Sequence, residues 1–150
     1  MSFSESHPPR TALIVERQRL MVPFLRDVLE RAGHGDVVAH RSASARTLQR
    51  LRPSVVVLGI DTLGARPFEV IRRTRCGTPA ARIVVLTRSD DPVWSALARA
   101  VGADVVLGPK ADRNDLLAAV AARPEGPARE LPASPNVPIK WGECLPGQVK

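Results

Sequence analysis

The 150 residues, 44% of them hydrophobic, suffice for one domain with a real core. The formal charge of +7 is compatible with an acidic or nucleic-acid partner, but arginine is scattered rather than gathered in one block, so it reads as composition more than as a binding stripe. No apolar run approaches the roughly 18 to 20 residues that span a bilayer, and the start, Met1 to Pro9, has no secretory hydrophobic region; no membrane partner and a cytoplasmic location are expected.

The first expected strand is Thr11–Val15. Its helix carries Leu20, Met21, Phe24, Leu25, Val28 and Leu29 at spacings of three and four and closes at Gly33. Pro23 restricts the helix start to about Arg19 or Leu20, since a deeper proline would remove a backbone hydrogen bond. A second strand, Asp36–His40, leads to a helix from about Ser44 to Leu51 capped by Ser42 or Ser44. The apolar run Ser54–Ile60 suits a strand buried on both faces. A turn-rich stretch follows, then a helix from Pro67 to about Arg75 with proline in its first turn. The fourth unit is Ala81–Thr87 with a helix from Pro92 to Val101, capped by Asp90 or Asp91 and ended by Gly102. The fifth is Asp104–Leu107 with a helix from about Asp112 to Ala122 whose Leu116, Leu117 and Val120 face inward.

Five strand-helix units in alternation predict an α/β fold, a doubly wound five-stranded parallel sheet with helices on both sides. The expected organisation is an N-terminal extension over 1–10, one domain over 11–123 and a proline-rich tail or linker over 124–150. Within that tail Ile139 and Trp141 form an apolar handle for docking. Cys76 and Cys144 form no spaced ligand set and read as free thiols. His7, His34 and His40 are scattered without carboxylate or Cys companions and read as surface residues, so neither a metal nor a cofactor is expected.

Several short motifs, in order and at their separations, resemble one family. They are Pro53-Ser54-Val55-Val56-Val57-Leu58-Gly59-Ile60-Asp61-Thr62-Leu63-Gly64, then Ile83-Val84-Val85-Leu86-Thr87 with Asp90-Asp91, Gly102-Ala103-Asp104, and Asp115-Leu116-Leu117. From about Thr11 to Arg123 the chain resembles the receiver domains of two-component response regulators, with their flavodoxin-like fold. The resemblance implies a phosphoryl-transfer site at the carboxyl ends of the strands. Such a site uses an aspartate nucleophile, an acidic pair for Mg²⁺ and a lysine over the phosphoryl oxygens.

Carried over residue by residue, that site is degenerate here. Gly59 stands at the acceptor position. Glu16 and Arg17 stand at the acidic pair, where an arginine repels Mg²⁺ at close range. Thr87 matches the hydroxyl that reports phosphorylation, whereas Val106 replaces the aromatic switch residue in a chain without tyrosine. Pro109 aligns with the lysine and Lys110 comes one residue late, on the other face of an extended strand; a local adjustment at Gly108 would restore it, and a cis Gly108-Pro109 bond is a separate expectation there. Asp61 reads as a turn-capping residue rather than a substitute acceptor. Arg17, Arg19, Arg66 and Arg88 surround the pocket, and a salt bridge from Arg17 to Glu16 or Asp61, or a small anion held by Arg17, would stand in for the missing metal and phosphate.

These readings predict no catalytic residue, no enzyme activity and no phosphorylation at this site. The family's common interface, on the fourth helix, fifth strand and fifth helix, maps here to Trp94, Leu97, Val101, Val105, Val106 and Leu107, with Trp94 either an exposed hot spot or packed under a neighbouring loop or the tail. The expected function is a phosphorylation-independent regulator that binds a protein: itself as a homodimer, a kinase or a transcription factor. A nucleic-acid-associated regulator is the second reading, weakened because no helix-turn-helix pattern follows Arg123.

Overall fold

A computed structural model describes residues 10–62, 64 and 66–121. The N-terminal extension and the tail, with Cys144, Ile139 and Trp141, lie outside the described residues apart from Arg10. In chain order the elements are β1 Thr11–Val15, α1 Met21–Arg31, β2 Asp36–His40, α2 Ala45–Leu51, β3 Val55–Gly59, a 3-10 turn Ile60–Thr62, α3 Pro67–Gly77, β4 Arg82–Leu86, α4 Pro92–Ala100, β5 Val105–Leu107 and α5 Arg113–Ala121. All strand pairs are parallel, in the spatial order β2-β1-β3-β4-β5. The expected doubly wound sheet is present.

Strand position explains composition. β1 and β3 lie in the middle, so Ala12 to Val15 and Val55 to Leu58 are buried on alternate faces and need no polar alternation. One set, Ile14, Val57 and Val84, packs under α1 and α5 against Leu25, Val28, Leu29, Leu116 and Val120. The other, Leu13, Val56, Leu58, Ile83 and Val85, packs under α2, α3 and α4 against Leu48, Ile71 and Ala98. Each full burial of such a side chain contributes about 1.5–3 kcal/mol.

Caps set the helix starts. Ser44 accepts from the Thr47 amide at 3.1 Å, and Asp91 from the Val93 amide at 2.9 Å with Pro92 at the first helical position. α1 begins at Met21 with no side-chain cap, which leaves Pro23 in the first turn, where its missing N–H costs no helix bond. α3 extends past Arg75 to Gly77, where an added Cβ would lie 2.8 Å from Leu48 Cδ1; glycine lets α3 approach α2.

Opposite the carboxyl edge, Arg75 ties α3 to the starts of β4 and β5. Its guanidinium, only 11% exposed, donates to the carbonyls of Gly102 (2.9 Å), Pro79 (3.1 Å) and Ala81 (2.7 Å) and to Asp104 Oδ2 (2.5 Å). Asp104 Oδ2 also accepts from the Ile83 amide at 2.8 Å. This use of Asp104 explains why β5 begins one residue later than expected, at Val105. Gly102, at φ +132°, is required both by that backbone region and by contact, since an added Cβ would lie 2.7 Å from Arg75 Cβ.

Two expectations are corrected. His34 is buried at 5% exposure: Gly33, at φ +96°, turns the chain inward after α1, and His34 Nε2 lies 3.3 Å from the Val120 carbonyl oxygen, to which it donates as the Nε2–H tautomer. Cys76 is disulfide-bonded and not a free thiol. Among the described residues no helix is long and apolar enough to cross a membrane, and no group of three or more His, Cys, Asp or Glu is placed to hold a metal.

Candidate functional site

Parallel strands aim their carboxyl ends at one edge, and the residues that follow them form the site. Glu16 after β1, Gly59 at the end of β3, Asp61 in the 3-10 turn, Thr87 after β4 and Gly108 after β5 line a cleft of about 260 Å³. Met21 and Phe24 of α1 and Arg113 and Leu116 of α5 close its other side.

Gly59 is filled rather than bare. Glu16 is 93% buried by its 7% exposure, and its Oε1 accepts from the Gln18 amide at 2.9 Å. A Cβ built on Gly59 would lie 1.7 Å from Glu16 Oε2 and 2.5 Å from Glu16 Cδ. The Glu16 carboxylate therefore occupies the volume that any side chain at position 59 requires.

Asp61 has a different role from the expected turn cap. Its Oδ2 accepts from the Arg88 amide at 2.6 Å and its Oδ1 from the Thr87 hydroxyl at 3.3 Å, so the carboxylate bridges from the end of β3 to the segment after β4. Thr87 is buried and also fixed through its backbone, whose amide donates to the Leu107 carbonyl at 3.0 Å. Proximity in sequence favoured a local turn; the partners of Asp61 are 26 and 27 residues away.

The structure thus gathers Glu16, Gly59 and Thr87 and separates the other two residues expected with them. Arg17 and Lys110 are exposed, and neither lines the cleft. The Gly108-Pro109 bond is trans, not cis. At the cleft wall, Arg113 donates to Asp27 Oδ2 and lies over the Phe24 ring at 5.9 Å. Burial pushes the Asp27 carboxyl up, but hydrogen bonds from Arg113 and Arg31 outweigh it and hold the group below its ordinary value. Sequence periodicity alone contained no signal for this α1–α5 pairing.

The expected interface residues separate by orientation. Trp94 is half-buried, its ring 5.3 Å from Phe68 of α3, and packs with Val101 and Val106 on the α2–α4 side of the sheet. Val105 and Leu107 pack on the opposite side. Leu97 points outward at 49% exposure, joined by Val93 at 63%, a residue the sequence reading passed over.

No family model matches the chain. It is 29% identical over 138 residues to the photosynthetic apparatus regulatory protein RegA of Rhodobacter capsulatus, covering 91% of this chain and 73% of that one. Among solved structures it is similar to the signal receiver domain of a DNA binding response regulator from Colwellia psychrerythraea 34H, with TM-score 0.65, 18% identity, and 74% and 94% of the two chains covered. A response regulator from Thermotoga maritima gives TM-score 0.64 and 19% identity over 75% of this chain and 98% of that chain. One from Burkholderia pseudomallei, with a phosphorylated aspartic acid, gives TM-score 0.64 and 21% identity over 74% of this chain; the match spans 66% of that protein. Topology, site placement and these likenesses agree that the chain has the receiver fold of response regulators.

Proposed function

We propose that this protein is a phosphorylation-independent receiver, a cytoplasmic non-enzymatic regulator that acts in signal transduction by binding another protein. The observation that carries the reading is the Glu16 carboxylate in the space of a residue-59 side chain, with glycine at that position. Glycine supplies no side-chain nucleophile at position 59, and the Glu16 carboxylate fills the space that an acceptor side chain there would need. Lys110 and Arg17 are exposed and do not line the cleft, which supports the same reading.

Binding is proposed through α4 and its neighbours, where Val93 and Leu97 give an apolar surface beside the half-buried Trp94. A partner kinase, a transcription factor or a second copy is the class of ligand such a face takes. The decisive experiment incubates the full chain with Mg²⁺ and acetyl phosphate and follows intact mass. No covalent phosphoryl adduct is expected, and a stable stoichiometric adduct would overturn the reading.

A further inference from the structure

We propose that the Asp61 carboxylate is a resident anion that holds the β4–α4 segment, and so the start of α4, in one fixed arrangement. The argument is a continuous series of hydrogen bonds. Asp61 accepts from the Arg88 amide and the Thr87 hydroxyl, at 2.6 and 3.3 Å. Thr87 Oγ1 in turn accepts from the Ser89 amide at 3.0 Å, Ser89 Oγ accepts from the Asp91 amide at 3.3 Å, and Asp91 Oδ1 caps α4 through the Val93 amide at 2.9 Å. Thr87, Ser89 and Asp91 each accept from the backbone amide two residues further on. The orientation set at Asp61 is thereby passed to the first turn of α4, which carries the exposed Val93 and, one turn later, Leu97.

Electrostatics assigns direction to the series. A carboxylate is an acceptor only, so Thr87 must donate its hydroxyl proton to Asp61 and is left with lone pairs for the Ser89 amide. A charge-assisted bond to an exposed residue's amide is also stronger than a neutral one. Asp61 supplies from within the chain the negative charge that orders these donors. This deepens the reading of the protein as phosphorylation-independent and rests on it: the α4 face is set without a covalent signal.

Backbone NMR of the full chain tests the series in D61A, T87V and their double variant. In D61A the Arg88 amide is expected to exchange about ten- to a hundredfold faster, the range of one charge-assisted bond, and the amide resonances from Ser89 to Leu97 to move. T87V should move the same α4 resonances, and the double variant should move them no further than D61A. If D61A fails to fold, D61N replaces it and should give smaller shifts in the same direction. Shifts confined to Thr87 and Arg88, with Val93 to Leu97 unchanged, would overturn the proposal, as would full additivity in the double variant. The two ideas fail separately. Phosphoryl uptake by the unmodified chain, seen by mass, defeats the functional reading, whereas an α4 indifferent to Asp61 defeats the relay even when no phosphoryl group is taken up.

Discussion

Placing a side chain at position 59 should destabilise the protein through Glu16, whose atoms are the three nearest to an added Cβ. The φ of Gly59 lies outside the left-handed region, so alanine meets no backbone strain there, only the Glu16 carboxylate 1.7 Å from the new Cβ. Glu16 must then rotate away and give up the bond from the Gln18 amide, a charged-acceptor hydrogen bond of about 1.5–3 kcal/mol. Partial resolvation of the displaced carboxylate offsets some of this, and Gly59→Ala should cost about 1–2 kcal/mol. Gly59→Asp adds a second carboxylate roughly 4 Å from the first, a repulsion of about 4 kcal/mol at an effective dielectric of 20, part of which proton uptake relieves. Its total cost at neutral pH should reach about 3–5 kcal/mol. Urea unfolding of Gly59→Ala, Glu16→Ala and the double variant measures the coupling directly. In the Glu16→Ala background the alanine at position 59 should be almost neutral, a coupling of about 1–2 kcal/mol. Additivity of the two single changes within about 0.5 kcal/mol would refute the claim that Glu16 fills this space.

Arg75→Met should destabilise by about 3–5 kcal/mol in denaturant melts, because it strands the Asp104 carboxylate and three carbonyls at a site where the guanidinium is mostly buried. Trp94→Ala should lower the thermal midpoint as well as any partner affinity, since the ring packs on Phe68; Leu97→Asp should reduce affinity in a pull-down with little change in midpoint. The depressed Asp27 carboxyl contributes stability that is present above its unfolded value, near 3.8, and lost as pH falls through its lower folded value. Stability curves of the wild type and Asp27→Asn should therefore differ at neutral pH and converge in acid. Lys110→Ala should leave stability and fold unchanged by circular dichroism and urea melts, as an exposed residue outside the cleft.

Elements were legible wherever local chemistry decides them. The bounds of β1 and β2 match the expected ranges, and the caps Ser44 and Asp91 are the residues their side chains mark. The parallel sheet with helices on both sides followed from the alternation of strands with helices. The site was legible as positions, not as contacts. Glu16 reads as a surviving carboxylate, but its reach from the end of β1 into the space beside Gly59 on β3 depends on strand adjacency and on a missing side chain. Asp61 sits in a turn-rich stretch, and nothing local reveals partners beyond another strand. His34 looks like a loop residue until the turn at Gly33 is placed under α5, and Trp94 resembles a hot spot until Phe68 is seen beneath it.

The apolar interior divides into two sets of residues separated by the sheet, one under α1 and α5, the other under α2, α3 and α4. Each strand contributes neighbours in sequence to opposite sets, as Val56 and Val57 do, so the halves share backbone but few side-chain contacts. Such an interior behaves as two packed bodies on a common plate. The α1–α5 half is tied at its surface by Asp27 and Arg113, and the α2–α4 half by the mostly buried pair Arg75 and Asp104. A substitution that loosens the packing of one half should therefore leave the opening free energies of amides covered by the other half nearly unchanged.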